Sequence, residues 1–333
     1  MGITGRTIHI GILGYSDIAK RRFVPAAAAA RNAVITAVGT RDPKTAAGRM
    51  PQGSAWHILP YDALLKRNDV DLVYVSLPND MHEAWVMRAL DSGKHVICEK
   101  PLGLDADSVA RMTHAARTKG LVLYENIMYL HHPQHRIIRN LVDDGVLGAV
   151  RMLRAAFGFT LPGGGGFRND PERGGGAFHD LARYPLSAVL YYLGGRPGNM
   201  SGYRIYRGKL DVAMEACGVT NCAEMFAFSI GFERQYENRL EIVGERGSIR
   251  LNRAFTIPAD ADNDIILKCG TRRESIHVPA SDHFRNAIEY VSALILEGES
   301  SVRGTPCIPA DRLANMADRA RDACERTGVG VCE

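Results

Sequence analysis

The first 125 residues alternate short aliphatic runs with helical stretches, and that alternation leaves the chain very few folds. Residues 7–13, 33–39, 72–77, 95–98 and 122–124 are rich in Val, Ile and Leu and hardly alternate in polarity, as strands covered on both faces should be. Helical candidates lie between them at 26–31, 61–66, 82–91 and 106–119, with Gly93 and Gly120 placed to end the last two. The 26–30 alanine run follows Pro25, which suits a helix start. Repeated strand–helix units predict a parallel, doubly wound α/β sheet of the Rossmann type.

The texture changes after residue 125. A helix is expected at 132–144 and a strand at 149–159, followed by a glycine-rich loop and a helix at 177–193. Strand-like runs come next at 200–206, 212–220, 223–232, 238–243, 248–251 and 265–268. Helices at 283–297 and 311–327 close the chain, the last of them able to pack back on the first domain. The 333 residues therefore read as a dinucleotide-binding domain, 1–125, and an α+β domain, 126–333, with a large, mostly antiparallel sheet. Phe226, Phe228, Ile230 and Phe232 alternate with Ala227, Ser229 and Gly231. A sheet packed face to face on a second subunit would bury such a surface, so a homo-oligomer, dimer or tetramer, is expected.

Composition narrows the function. Lys and Arg total 41 against 37 Asp and Glu, a net charge of +4, too mild for a protein that wraps nucleic acid. Residues 1–125 hold 16 basic and 12 acidic side chains, and 126–333 hold 25 of each, so the excess sits on the dinucleotide-binding half. Seven scattered cysteines form no disulfide framework. No apolar run reaches the ~18 residues of a membrane helix, and the opening segment lacks a secretory pattern. The expectation is a cytoplasmic enzyme acting on a small molecule.

The motifs fall where such a fold binds its ligand. Gly11 and Gly14-Tyr-Ser16-Asp17-Ile18-Ala19 follow the first strand, in the place of the glycine turn that aims backbone N–H groups at a pyrophosphate. Ser16 stands for the middle glycine. The second strand ends Gly39-Thr40-Arg41-Asp42. A hydroxyl and an arginine there suit a 2′-phosphate, so NADP (as NADPH) is favoured over NAD, although Asp42 stands close by. Two more clusters end strands: Leu77-Pro78-Asn79-Asp80-Met81-His82 and Cys98-Glu99-Lys100-Pro101. Lys100 suits a role facing a substrate oxygen. In the second domain Gly174-Gly-Gly-Ala177-Phe-His179-Asp180 leads to Tyr184, four residues on and on one helix face. Taken alone Tyr184 reads as structural; beside a lysine, its phenol becomes a better acid. His131, His132 and His135 are interrupted by Pro133 and form no ligand pattern, so no metal is expected.

Together these motifs resemble the glucose-fructose oxidoreductase / inositol dehydrogenase (Gfo/Idh/MocA) family over nearly the whole chain. Glu99-Lys100-Pro101 is the most specific element. Tyr184, where many members carry histidine, and the segments 17–22, 126–133 and 253–258 look most like its nucleotide-sugar 3-ketoreductases of deoxysugar biosynthesis. The resemblance implies catalysis by Lys100 and Tyr184, with Asp180 orienting the pair. It implies cofactor contacts from Gly11, Gly14, Ser16, Asp17, Ile18, Thr40, Arg41, Leu77, Pro78, Asn79, His82, Glu99 and Lys100. Asn126, Arg168 and Asn169 are the substrate candidates. A dehydrogenase of a free sugar or trans-dihydrodiol is the enzymatic alternative, and a non-catalytic dinucleotide sensor is the alternative of another class.

Overall fold

The computed structural model describes residues 6–48, 50–51, 53–161, 166–300 and 307–328; part of the glycine-rich loop, 162–165, lies outside them. The chain divides into two compact units. The first comprises Met1–Gly103, Asp107–Met128 and His283–Gly304; the second comprises Leu104–Ala106, Tyr129–Asp282 and Thr305–Glu333.

In the first unit β1 (Ile8–Leu13), β2 (Ala33–Gly39), β3 (His57–Leu59), β4 (Leu72–Val75), β5 (His95–Cys98) and β6 (Leu123–Glu125) form one sheet. Its order is β3-β2-β1-β4-β5-β6, parallel throughout. Every residue of β4 is buried, as its unbroken aliphatic run requires. Strand order reverses between β1 and β4, where such sheets bind ligands beyond the strand carboxyl ends. The helices are α1 (Val24–Ala28), α2 (Pro43–Ala47), α3 (Tyr61–Leu65), α4 (His82–Asp91) and α5 (Ala106–Thr118). The chain later returns to this unit with α9 (His283–Leu296). There Glu289 takes the Arg31 guanidinium at 2.9–3.1 Å and its carbonyl takes Asn32 Nδ2 at 2.9 Å. The returning helix is thus the next-to-last, not the last.

The first helix also starts earlier than expected. Helical backbone begins at Asp17, and Pro25 lies inside it. A π turn over Ala19–Phe23, with Val24 N–H bonded to Ala19 O five residues back, widens the helix just ahead of the proline. That accommodates a ring a regular turn would reject. Strand β3, the later strand at Arg272–Val278 and the short helix α2 were not legible in the periodicity.

In the second unit β7 (Val150–Phe159), β8 (Pro197–Arg207), β9 (Leu210–Thr220), β10 (Met225–Phe232), β11 (Glu237–Gly244), β12 (Gly247–Leu251), β13 (Asn263–Cys269), β14 (Arg272–Val278) and β15 (Cys324–Gly328) make a second sheet. Its order is β14-β13-β12-β11-β7-β10-β9-β8-β15. Only β7–β10 and β8–β15 pair in parallel, so the expectation of a mostly antiparallel sheet holds. Strand β15 replaces the end of the expected last helix. Thr327 and Gly328 propagate a helix poorly, and pairing with the edge strand β8 satisfies their backbone instead.

One face of this sheet is core. Phe226, Phe228, Ile230 and Phe232 are at most 4% exposed. On that side lie α7 (Ala177–Leu181) and α8 (Arg183–Tyr192), with α10 (Ala310–Asp322) packed on α8. All ten residues of α8 are buried, which is why it is apolar all round. Helix α6 (Pro133–Asp143) precedes the sheet. The phenylalanine face is thus internal to the unit, and the small-residue face is the open one.

Candidate active site

The turn after β1 is built for close approach. Gly14 has φ +87°, and a Cβ there would lie 2.7 Å from Leu77 Cδ2 and 2.8 Å from Ser76 O, so only glycine fits without strain. Ser16 Oγ accepts from Ala19 N at 3.2 Å and meets Ser76 Oγ, holding the turn to the loop after β4. Asp17 and Ile18 open the helix. Gly11 lies mid-strand, where a Cβ would meet Leu64 Cδ2 at 2.7 Å. It serves packing against α3, not a ligand face.

At the end of β2, Asp42 caps α2. Its carboxylate accepts from Lys44 N at 3.1 Å and Thr45 N at 3.2 Å, and from the Thr45 hydroxyl. An acid engaged in this way is turned from a ribose. Arg41 is exposed and makes no ion pair among the described residues. Thr40 follows the last residue of β2, its N–H held by Leu59 O at 2.9 Å. A cation without a counterion beside a spent carboxylate is the donor set for a phosphate.

The two remaining strand-end loops are braced to one another. His82 is fully buried, with Nδ1 2.8 Å from Pro101 O and Nε2 2.8 Å from Leu77 O. Burial pushes its pKa down, against the pull of those carbonyls and of Glu99 and Glu125. Both ring nitrogens are occupied, so His82 positions the Leu77-Pro78-Asn79 loop and the Lys100-Pro101 loop. Asn79 itself is 5% exposed. Glu99 accepts from Tyr74 OH at 2.6 Å and from Asn126 Nδ2 at 2.7 Å. Glu125, which no motif pointed to, takes Leu102 N at 3.1 Å. Lys100 is thereby set on a stretch pinned before and behind it. Asn126, a substrate candidate by sequence, is 2% exposed and spends its amide on Glu99.

In the second unit the three glycines let the chain fold on itself. A Cβ on Gly175 would fall within 2.4–2.7 Å of the Phe167, Arg168 and Asp170 carbonyl oxygens. The tight turn brings Arg168 Nε to 2.9 Å from Asp180 Oδ2. Asn169 is exposed beside it. A one-residue turn at Ala182 separates α7, which carries Asp180, from α8, which carries Tyr184. The Tyr184 ring, 5% exposed, packs against Phe157 at 4.8 Å, Phe255 at 5.5 Å and Tyr129 at 6.0 Å. The ring is thereby held on three sides by aromatic neighbours.

Two residues with no sequence signal hold this helix. Asp211, on β9, accepts from Phe178 N at 2.7 Å through Oδ2 and pairs with Arg204 Nη2 at 3.4 Å through Oδ1. Both side chains are about 5% exposed or less. The histidine cluster is core. His132 caps α6, and His135 lies between Tyr192 OH at 2.6 Å and Ala254 O at 2.9 Å. Burial drives their pKa values to about 4 and about 3. Among the described residues no group of three or more His, Cys, Asp or Glu is arranged to hold a metal.

A parallel sheet in the order 3-2-1-4-5-6, with a glycine turn after its first strand, is a dinucleotide-binding unit. The class to which such a unit points is that of nicotinamide-dependent oxidoreductases. Residues 8–127 match the family model for the oxidoreductase family with NAD-binding Rossmann fold, and 135–250 match the GFO/IDH/MocA C-terminal domain. The chain belongs to the Gfo/Idh/MocA oxidoreductase family.

Its relatives include the dTDP-3,4-didehydro-2,6-dideoxy-alpha-D-glucose 3-reductase of Actinomadura kijaniata, 35% identical over 88% of this chain and 89% of the relative. The enzyme of the same name from Saccharopolyspora spinosa is 33% identical over 95% of each chain. Among solved structures, a tyrosine-to-phenylalanine variant of KijD10, a 3-ketoreductase from Actinomadura kijaniata, in complex with TDP-benzene and NADP, superposes with a TM-score of 0.91. It is 33% identical, and the match covers 98% of this chain and all of that one. No helix among the described residues is long and apolar enough to cross a membrane.

Proposed function

We propose that the protein reduces the 3-keto group of a dTDP-linked keto-deoxysugar with NADPH. What supports this reading is that a chain so similar to dTDP-sugar 3-reductases carries Lys100 on a braced loop of the first unit and Tyr184 within aromatic packing of the second. The residues fit the cofactor: Gly14 leaves the backbone N–H groups approachable, and Arg41 and Thr40 take the 2′-phosphate while Asp42 is occupied as a cap. NADPH, when bound, supplies the hydride. Tyr184 donates the proton to the developing alkoxide, and the Lys100 ammonium stabilises its charge. Asp180 orients Tyr184 and Arg168 from one helix turn away. Ser16, Asp17, Ile18, Leu77, Pro78, Asn79 and Glu99 line the cofactor, with His82 acting through the loops it joins. Arg168 and Asn169, exposed on the loop before α7, take the diphosphate of the substrate.

The working form is a homo-oligomer assembled through the second sheet, in the cytoplasm, where its cysteines stay reduced; all six described ones are free. The test is turnover of thymidine- and uridine-diphosphate keto-sugars with NADPH and NADH in parallel. Tyr184→Phe and Lys100→Ala are each expected to lower kcat by about 100-fold or more, with NADPH binding within a few-fold of wild type. Near-normal turnover in both variants would sink the assignment.

A further inference from the structure

Between β12 and β13 the chain runs through residues 252–258 with no helix or strand, yet much of that run is core. Ala254, Phe255 and Ile257 are at most 1% exposed. Irregular backbone this deep must find its hydrogen bonds outside any ladder. Side chains supply them. Asn238, on β11 and 1% exposed, accepts from Ala254 N at 3.0 Å and Phe255 N at 2.8 Å through Oδ1. Its Nδ2 donates to Thr256 O at 3.0 Å and Tyr236 OH at 2.9 Å, so one amide serves this loop as a neighbouring strand would. From α6, Gln134 Nε2 donates to Arg253 O at 3.2 Å and Ala254 O at 3.1 Å, and Asn263 Nδ2 donates to Gln134 Oε1 at 2.6 Å. The pattern of β11 does not ask for an amide at 238. Leu240 and Ile242, on the same face of the strand, are apolar and buried.

We propose that Asn238 is a positioning residue for Tyr184, acting through Phe255. This role rests on Tyr184 being the proton donor, as proposed above. Of the three rings around Tyr184, Phe157 is fixed by β7, which pairs with β10 on one side and β11 on the other. Tyr129 is fixed by its hydroxyl, 2.9 Å from Ser187 Oγ on α8 itself. Phe255 alone of the three stands on the irregular run. Its ring centre is 5.5 Å from that of Tyr184, 5.6 Å from Phe157 and 5.1 Å from Tyr129, so a shift of the run moves the whole aromatic seat. Without the Asn238 side chain, Phe255 N loses its acceptor and Ala254 N keeps only the bond to Asn238 O at 3.2 Å. A group that must deliver a proton tolerates little of this, since a displacement of about 1 Å costs about 100-fold in rate. A buried amide thus sets where the phenol stands, and an aromatic ring carries the constraint.

Steady-state turnover of the full chain with NADPH and a dTDP-linked 3-keto sugar tests this role. Asn238→Ala and Phe255→Leu are each made alone and in the Tyr184→Phe background. Alone, each is expected to lower kcat about tenfold while the KM for NADPH stays within about twofold. In the Tyr184→Phe background each is expected to cost less than about twofold, because no phenol is left to position. Phe255→Leu leaves Asn238 and its hydrogen bonds in place, so it reads the constraint even where Asn238→Ala folds poorly. Equal losses in both backgrounds, or an unchanged kcat with a lowered Tm, would overturn the positioning role and leave the amide a matter of stability. Normal turnover in Tyr184→Phe itself would overturn the proton-donor reading and this one with it. Lost turnover there, with normal turnover in Phe255→Leu, would overturn the positioning role alone.

Discussion

Removing the Asp211 carboxylate should damage both stability and catalysis, and the structure says by how much. Asp211→Ala deletes two contacts at once, the acceptor for Phe178 N at the start of α7 and the counterion of Arg204. Arg204 Nε already lacks an acceptor, and its guanidinium sits over the Phe178 ring at 4.8 Å and the Tyr206 ring at 5.2 Å. With no water to turn to, the cation would stay buried and unpaired. Breaking a buried pair from one side costs about 3–5 kcal/mol, or roughly 6–20 °C in Tm for a domain of this size. Because α7 leads into Tyr184, kcat should also fall about tenfold, while NADPH binding, which depends on the first unit, should hold.

A double variant separates this account from a generic loss of packing. Arg204→Met with Asp211→Asn removes the charge from both sides and leaves an amide oxygen to accept from Phe178 N. Replacing a buried pair by neutral groups is often close to neutral, so the double variant should recover more than half of the Tm lost in Asp211→Asn alone. Differential scanning calorimetry of wild type, both singles and the double gives the coupling energy directly. Additive losses, or an Asp211→Ala Tm within 2 °C of wild type, would refute the argument.

Arg41→Ala should raise the KM for NADPH about 10–100-fold, the worth of a charged hydrogen bond, and leave NADH nearly unaffected; an unchanged NADPH/NADH ratio in steady-state kinetics counts against the phosphate assignment. Acid should destabilise the second unit earlier than its carboxylates would. His132 and His135 titrate near 4 and 3 in the fold against about 6.5 unfolded. The unfolded chain therefore binds more protons throughout that window. The stability is fully present above pH 6.5 and is lost on the way down, at about 1.4 kcal/mol per pH unit for each histidine. Tm measured between pH 7 and pH 5 should fall, and His135→Gln should make the fall shallower.

What the sequence made legible follows the range of each signal. Buried parallel strands carry their own signature, so β1, β2, β4 and β5 stood out, and the glycine turn marked the ligand end of the sheet. Elements stabilised by a distant partner did not. His57–Leu59 is too short to show a period and becomes a strand by pairing with β2, while β14 is read only once β13 is beside it. The π turn hid because Pro25 ordinarily marks a helix start. Among the site candidates, Gly14, Arg41 and Lys100 could be singled out by type and place, and Tyr184 only through the family resemblance. The residues that hold them, Asp211 and Glu125, are ordinary acids in ordinary stretches, and only their partners across the chain give them meaning. Asn126 and His82 stand differently: the motif singled them out, and the fold engages Asn126 Nδ2 with Glu99 and both His82 ring nitrogens with backbone carbonyls.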